Sequence, residues 1–318
     1  MEVTAANLAG INKSFQAKFN TARAAVTAFY KLFCMECPST AGENVYGYLA
    51  DLPQISKVTS EYIRKRLQTL GYRLTNEKFG GILEVKRESI EDDQYGMFGN
   101  VASQWGARAA QVPDLELLQL FVNAFSATKG KDYTGSAFFA AGKKAHSKAT
   151  AFTNLDTKKL SAANFQTALA ALVERKDAEG VPLFLGQNSQ QLYLVVTSDD
   201  QSLAESIVAA QFLAGGANNT NYNKAKLVVL PGLKTLAQTS AVINDADALP
   251  WFLLDCSQPV KPLIYQPRTA FELTPSFQLT GDRVFNEDVF QWKARGRMAL
   301  GYGLPEYAFG STGADAAA

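Results

Sequence analysis

At 318 residues with 47% hydrophobic content, the chain can hold one large domain or two to three smaller ones around a true core, which excludes a disordered chain. Thirty-one Lys and Arg against 30 Asp and Glu leave a formal net charge of +1, without the basic excess expected of a dedicated DNA binder. No signal-peptide pattern or bilayer-length apolar run is present, and three cysteines, an odd number, argue against a disulfide framework, so the expectation is a soluble cytoplasmic product with free thiols.

Leu8, Ile11, Phe15, Phe19, Ala22, Val26, Phe29 and Phe33 recur at three- and four-residue spacing, which predicts an amphipathic helix or a kinked pair. Such a stripe docks either on its own core or on a neighbouring subunit; the second arrangement makes Phe15 and Phe19 contact candidates. Cys34 to Pro38 closes the segment and residues 39–44 read as a loop. The stretch 55–70 carries Lys57, Glu61, Arg64, Lys65 and Arg66, a cluster better suited to ion pairing than to phosphate binding because acidic residues follow at Glu77 and Glu84.

Tyr72 to Phe79, Gly80-Gly81 and Ile82 to Ile90 alternate apolar and polar residues as an extended ribbon does, with charge on both faces. That pattern predicts a projecting arm or a strand lying on another molecule. Glu91-Asp92-Asp93 suits the positive end of a helix dipole, so a helix is expected to start there. Its stripe runs through Phe98, Val101, Ala102, Trp105 and Ala109 and resumes at Leu117, Leu118, Phe121 and Phe125; Pro113 either kinks one helix or starts a second.

A turn-rich segment follows at 128–135, then Phe138-Phe139 and a soft polar loop over 142–150. Ser161 is a plausible N-cap for a helix facing inward through Phe165, Leu169 and Leu172, stopped by Gly180-Val-Pro182. Residues 191–197 suit a strand buried on both faces. A second helix is expected over 202–213 with Leu203, Ile207, Ala210 and Leu213 inward, then an exposed loop at 215–221 and strands at 226–230 and 251–255. This third reads as an α/β subdomain. Strands are expected at 262–265, 270–279 and 285–303, and the tail from Gly310 has nothing to bury.

Candidate chemistry is thin. Cys34 and Cys37 form a CxxC, but a four-ligand zinc site would need Cys34, Cys37, Cys256 and His146 to meet. His146, the only histidine, sits in a basic loop without a nucleophile elbow. The glycines show no phosphate-loop or dinucleotide fingerprint, and Glu91-Asp92-Asp93 fits a dipole partner better than a cation site. The residues therefore point to no catalytic, metal or cofactor site, and a structural protein is favoured by elimination.

The order of Tyr46 to Pro53, Ser89 to Gly96, Tyr133 to Phe139, Asn154-Leu155, Leu160 to Asn164, Gly180 to Leu183, Trp251 to Asp255, Lys261 to Arg268 and Phe290 to Gly303 resembles the major head subunit of Mu-like phages and prophages. The resemblance spans about residues 46–310; the family's histidine soon after the Phe-Phe pair is displaced here to His146. It implies an α+β chain with the Hong Kong 97-type phage capsid fold: an N-terminal arm (1–45), an extended loop (46–88), a peripheral domain with a spine helix (89–165), an axial domain (166–262), a return to the peripheral domain (263–312) and a flexible tail (313–318).

The implied function is that of a major capsid protein whose copies form pentamers and hexamers of an icosahedral head around double-stranded DNA. It is not an enzyme and needs no cofactor. Implied partners are itself, a scaffold protein, a portal, packaged DNA bound weakly and non-specifically, and a cementing protein, with no membrane; the location is the virion, assembled in the bacterial cytoplasm. Inter-subunit contact candidates are Glu61, Arg64, Lys65, Arg66, Arg73, Glu77, Phe15 and Phe19, with Gly71, Gly80 and Gly81 letting the ribbon bend. The alternatives are a cytoplasmic α/β enzyme using His146 or the thiols, and a phage tail-tube protein.

Overall fold

Thr4 opens the first helix, its hydroxyl accepting from the Asn7 amide, and α1 runs over Ala5–Ala25. A short α2 (Tyr30–Phe33) follows, so the N-terminal stripe folds as a broken pair. The computed structural model describes residues 4–49, 69–92, 97–144, 151–176, 180–213, 215–276 and 281–315. Three strands come next: β1 (Cys34–Glu36), β2 (Glu43–Leu49) and β3 (Thr69–Thr75). β2 and β3 pair antiparallel from Glu43↔Thr75 to Leu49↔Thr69 as a two-stranded ribbon.

The ribbon expected over 72–90 ends earlier than the alternation suggests. β4 (Glu77–Lys86) instead pairs along its whole length with β10 (Val289–Tyr302), from Glu77↔Met298 to Lys86↔Val289. The reason is parity. Lys78, Ile82, Glu84 and Lys86 share one strand face, while Leu83 and Val85 share the other and join Phe15 and Trp292 in the core. Gly80, expected to be a hinge, serves close packing: a Cβ there would lie 2.6 Å from the Ala294 carbonyl oxygen.

The acidic run also falls differently. α3 (Arg87–Glu91) ends where a helix was expected to begin, because the Arg87 amide donates to Asp288 O and its guanidinium pairs with Glu91 one turn on, at 3.0 Å. Asp93 lies outside the described residues. The long helix α4 (Met97–Asn123) passes through Pro113 without dividing. α1 lies against it where Gly99, Ala102 and Gly106 form a stripe of small residues; a side chain at Gly106 would overlap the Phe19 carbonyl.

β9 (Leu263–Ser276) completes a four-stranded sheet of order β1-β9-β10-β4, parallel only between β1 and β9. The second sheet joins β5 (Leu155–Asp156), β6 (Leu192–Val196), β7 (Lys226–Val229), β8 (Trp251–Asp255) and β11 (Ala308–Ser311) in the order β5-β11-β8-β6-β7. α5 (Ala162–Val173) is capped by Ser161 as expected, but it ends at Glu174, ahead of the Gly180-Val-Pro182 stop. α7 (Leu233–Thr239) follows β7, and α8 (Asp282–Glu287) with a 3-10 turn at Pro305–Tyr307 flanks β10.

α6 (Gln201–Ala204) passes into a π-helical turn at Glu205–Ala209 and stops short of the expected 213. Asn219 explains the stop: its side-chain amide donates to the carbonyls of Ser206, Ile207 and Ala210 at 3.1, 2.9 and 2.8 Å. The wider turn shifts the inward face to Ala204, Ile207 and Val208, leaving Leu203 and Leu213 exposed. The C-terminal stretch is likewise built in. Ser311 is buried with its hydroxyl donating to Lys158 O at 2.6 Å, and the Leu249 amide donates to Gly313 O.

Two apolar clusters meet at the five-stranded sheet. One gathers Phe121, Phe138, Phe139, Phe252 and Tyr302 beneath α4; the other packs Phe165, Leu172, Leu194 and Trp251 beneath α5.

Candidate assembly surfaces

The β2–β3 ribbon is fixed at its root by a polar network that sequence periodicity does not reveal. Gln266, fully buried on β9, accepts from the Tyr46 hydroxyl at 2.6 Å and donates to Asn76 Oδ1 at 2.8 Å. Asn76 in turn donates to Ser39 Oγ, which donates to Asn44 Oδ1. The Tyr72 hydroxyl accepts from the Tyr302 amide at 3.2 Å. Each of these groups is satisfied by a partner, and Tyr46, Tyr72 and Leu74 also pack on Ile264 and Ala299, so polar and apolar contacts together fix the root. Gly71, farther out on the ribbon, has only Val45 Cγ1 nearby, at 3.4 Å from a notional Cβ.

Of the charged candidates, Arg73 stands exposed on β3 and pairs with Glu43 across the ribbon at 3.3 Å. Such an exposed pair contributes about 0–1 kcal/mol. Glu77 stands exposed at the start of β4 and faces Glu116 of α4, whose carboxyl is pushed up by burial and then by the Glu77 charge. Glu61, Arg64, Lys65 and Arg66 lie outside the described residues. Phe15 and Phe19 are spent within the chain: Phe15 stacks on Trp292 at 5.0 Å, Phe19 meets Trp105 edge-on at 6.0 Å, and both are buried. They offer no surface to a neighbour, because α1 turns its apolar face onto α4 and the long sheet.

Other side chains are exposed where sequence reading did not place contacts. Phe285 on α8 is 81% exposed and Ile82 on β4 is 58% exposed. Phe212, Leu213 and Tyr222 stand out around the turn after the π-helical segment. Phe184 is exposed at a φ of 54°, a left-handed conformation a bulky residue rarely adopts. Between the end of α1, α4 and the β9 edge lies an open groove of about 590 Å³ whose lining includes Arg23, Lys31, Arg268 and Glu36.

The reactive residue types are arranged for packing. Cys34 and Cys256 are buried free thiols, Cys34 raised well above its ordinary value by burial and Cys256 pushed up to about 12, again mainly by burial. Cys34 lies on β1 with Cys37 just past its end, so the CxxC is extended rather than one helical turn. Among the described residues no group of three His, Cys, Asp or Glu is placed to hold a metal; His146 lies outside them. No described helix is long and apolar enough to cross a membrane.

A buried polar cluster was also missed. Lys143, read as part of a soft loop, has a side chain with no exposure and pairs with Asp132, equally buried, at 2.5 Å. Beside it the Tyr133 hydroxyl donates to Glu306 at 2.6 Å, Asn154 ties Phe138 O to Pro305 O, and burial lowers the Arg175 guanidinium to about 10. Nothing in the local sequence marks Lys143, whose ammonium is enclosed by Asp132, Ser136 and the Ala137 carbonyl and lies within reach of the Glu306 charge from the 305–307 turn.

The family described as Mu-like prophage major head subunit gpT matches residues 8–157, 150–233 and 234–317. The major capsid protein of Escherichia phage Mu is 23% identical over 305 residues, covering 96% of this chain and 73% of the relative. The Mu-like prophage FluMu major head subunit of Haemophilus influenzae is 23% identical over 267 residues, and the match spans 84% of this chain and 60% of that one. Among solved structures, the procapsid of bacteriophage JBD30 superposes with a TM-score of 0.59 at 23% identity, covering 98% of this chain and 76% of its counterpart.

Proposed function

The chain belongs to the Mu-like prophage major head subunit family and has the phage capsid fold, and from that premise we propose how a capsid protein of this build forms its shell. Its role is structural, not enzymatic. Copies join head to tail, and the same heterologous contact closes rings of five and of six that tile an icosahedral head. The observation that carries this reading is the β2–β3 ribbon locked at its root through Gln266 while Val45, Gly47 and Gly71 farther along it are exposed. A rigid root aims the ribbon at a neighbour; its exposed outer part, at Val45, Gly47 and Gly71, can flex to suit either ring.

In this scheme α1 with α4 and the four-stranded sheet form the peripheral part, residues 166–262 the axial part, and the segment 263–312 returns to the periphery before adding β11 to the five-stranded sheet. Glu61, Arg64, Lys65, Arg66, Arg73 and Glu77 meet the adjacent subunit through many individually small ion pairs. A scaffold protein and a portal direct assembly in the host cytoplasm, a cementing protein can bind outside, and the near-neutral charge lets packaged DNA slide without strong phosphate contacts.

The test is electron microscopy of the chain expressed alone and with a scaffold protein from the same phage. Closed shells or rings of five and six are expected. Only monomers in both preparations, or tubes, would overturn the scheme.

A further inference from the structure

The buried cluster around Lys143 takes no part in these surfaces, and its geometry goes beyond that of an ion pair. Lys143 Nζ lies 2.5 Å from Asp132 Oδ2 with neither side chain exposed to water. The other carboxylate oxygen, Oδ1, accepts from the Thr134 amide at 2.8 Å and the Thr134 hydroxyl at 2.6 Å. Nζ is aimed by the carbonyl of Ala137 at 2.5 Å and the Ser136 hydroxyl at 3.2 Å. Glu306, 7% exposed, lies near enough for its charge to act on Lys143, and its Oε2 has no hydrogen-bond partner among the described residues. Phe138, stacked on Tyr302 at 4.9 Å, borders the site, and both rings are buried.

Burying two opposite charges together is costly, and condensing them into one uncharged amide removes both charges. Passing one proton across the 2.5 Å contact from Nζ to Oδ2 would leave an amine and a carboxylic acid side by side, the reactants of an amide. Burial holds the Lys143 amine below its ordinary value and pushes the Glu306 carboxyl up, so one is the more easily deprotonated and the other the more easily kept protonated.

We propose that Lys143 and Asp132 condense into an isopeptide bond within a single subunit. The Nζ lone pair attacks Asp132 Cγ and the N–C bond forms. The developing oxyanion is Oδ1, already under the two Thr134 donors. The C–O bond to Oδ2 then breaks, and its hydroxyl leaves with a proton given up by Nζ, so that one water is released and no oxidant or nucleotide is consumed. Glu306, whose Oε2 is unpartnered among the described residues and whose charge reaches Lys143, acts as a positioning acid that lends a proton to the departing oxygen and recovers one from nitrogen. The bond closes a covalent ring over residues 132–143, pinning the loop that carries Phe138 and Phe139 into the core.

The experiment is intact mass measurement of the full purified chain, followed by tryptic digestion. The expected result is a chain lighter than its sequence by one water, and a fragment from Asp132 to Lys144 that lacks that water and resists cleavage after Lys143. Lys143→Arg is expected at its full sequence mass. Glu306→Gln keeps an acceptor for the Tyr133 hydroxyl but lends no proton, so chains at full sequence mass should accumulate with unchanged circular dichroism. The proposal is overturned if the wild-type chain has its full mass, or if the water is missing but trypsin still cuts after Lys143, as it would for a cyclised Asp132 alone. Undiminished water loss in a folded Glu306→Gln would overturn the role given to Glu306.

Discussion

Every residue of β8, at the centre of the five-stranded sheet, is buried, whereas β9 in the four-stranded sheet alternates between half-buried and exposed from Pro267 to Ser276. The first sheet is finished inside one chain: Trp251, Phe252, Leu253 and Leu254 fill both of its faces with side chains from α4, α5 and the 138–139 pair. The second has one face packed under α1 and another bearing Lys78, Ile82, Glu84 and Lys86. A capsid subunit needs both kinds. The dry sheet supplies stability within the chain, and the half-wet sheet with its attached ribbon leaves exposed surface, the surface our proposal gives to a neighbouring copy.

The sharpest way to break this contrast is Trp251→Ala. Its ring is buried and its indole N–H donates to Lys158 O at 3.0 Å, so the substitution should cost about 3–5 kcal/mol, read as a lowered denaturation midpoint of the isolated chain. Gly80→Ala should act in the long sheet by overpacking against the Ala294 carbonyl, costing about 1–3 kcal/mol by the same measurement and loosening β4 from β10. Phe285→Ser should change the stability of the isolated chain by no more than about 0.5 kcal/mol, since the ring is 81% exposed, yet reduce the yield of closed particles in micrographs. A large loss of stability instead would mean that the half-wet face is not spare surface.

The smallest expected effect concerns Asp114, whose Oδ1 accepts from the Tyr30 amide at 2.9 Å and ties α2 to α4. Burial raises its carboxyl above the ordinary value, more than the backbone hydrogen bonds lower it. The fold therefore favours the protonated form, and Asp114 contributes less stability as pH rises from the ordinary carboxylate range through its raised value. Asp114→Asn, which keeps the acceptor, should match the wild type in acid and become slightly more stable above that window. Denaturation midpoints across pH would show a flat difference if burial were not the cause.

Helices and dry strands were legible because their signal is local. The α1 stripe, the Ser161 cap, β6 and β8 follow from residue spacing and from continuous apolar runs. The misreadings share a cause in long-range contact. β4 looked like a free ribbon because its partner, β10, lies more than 200 residues away, and only the pairing and packing show that Leu83 and Val85 face the core. The helix after Gln201 stops because of Asn219, and a charge acting on Lys143 comes from Glu306, far along the chain. Of the contact candidates, Phe15 and Phe19 illustrate the limit: an amphipathic stripe states that a face will be covered, without stating by what.

The sequence by itself determined most of the helical and extended segments, though not α7 or α8, and, through the order of its short matches, the capsid family. The tertiary structure decided which apolar faces are consumed within the chain, where the ribbon is rooted, and which charges are buried, because each of those is fixed by a partner distant in sequence whose approach no local pattern encodes.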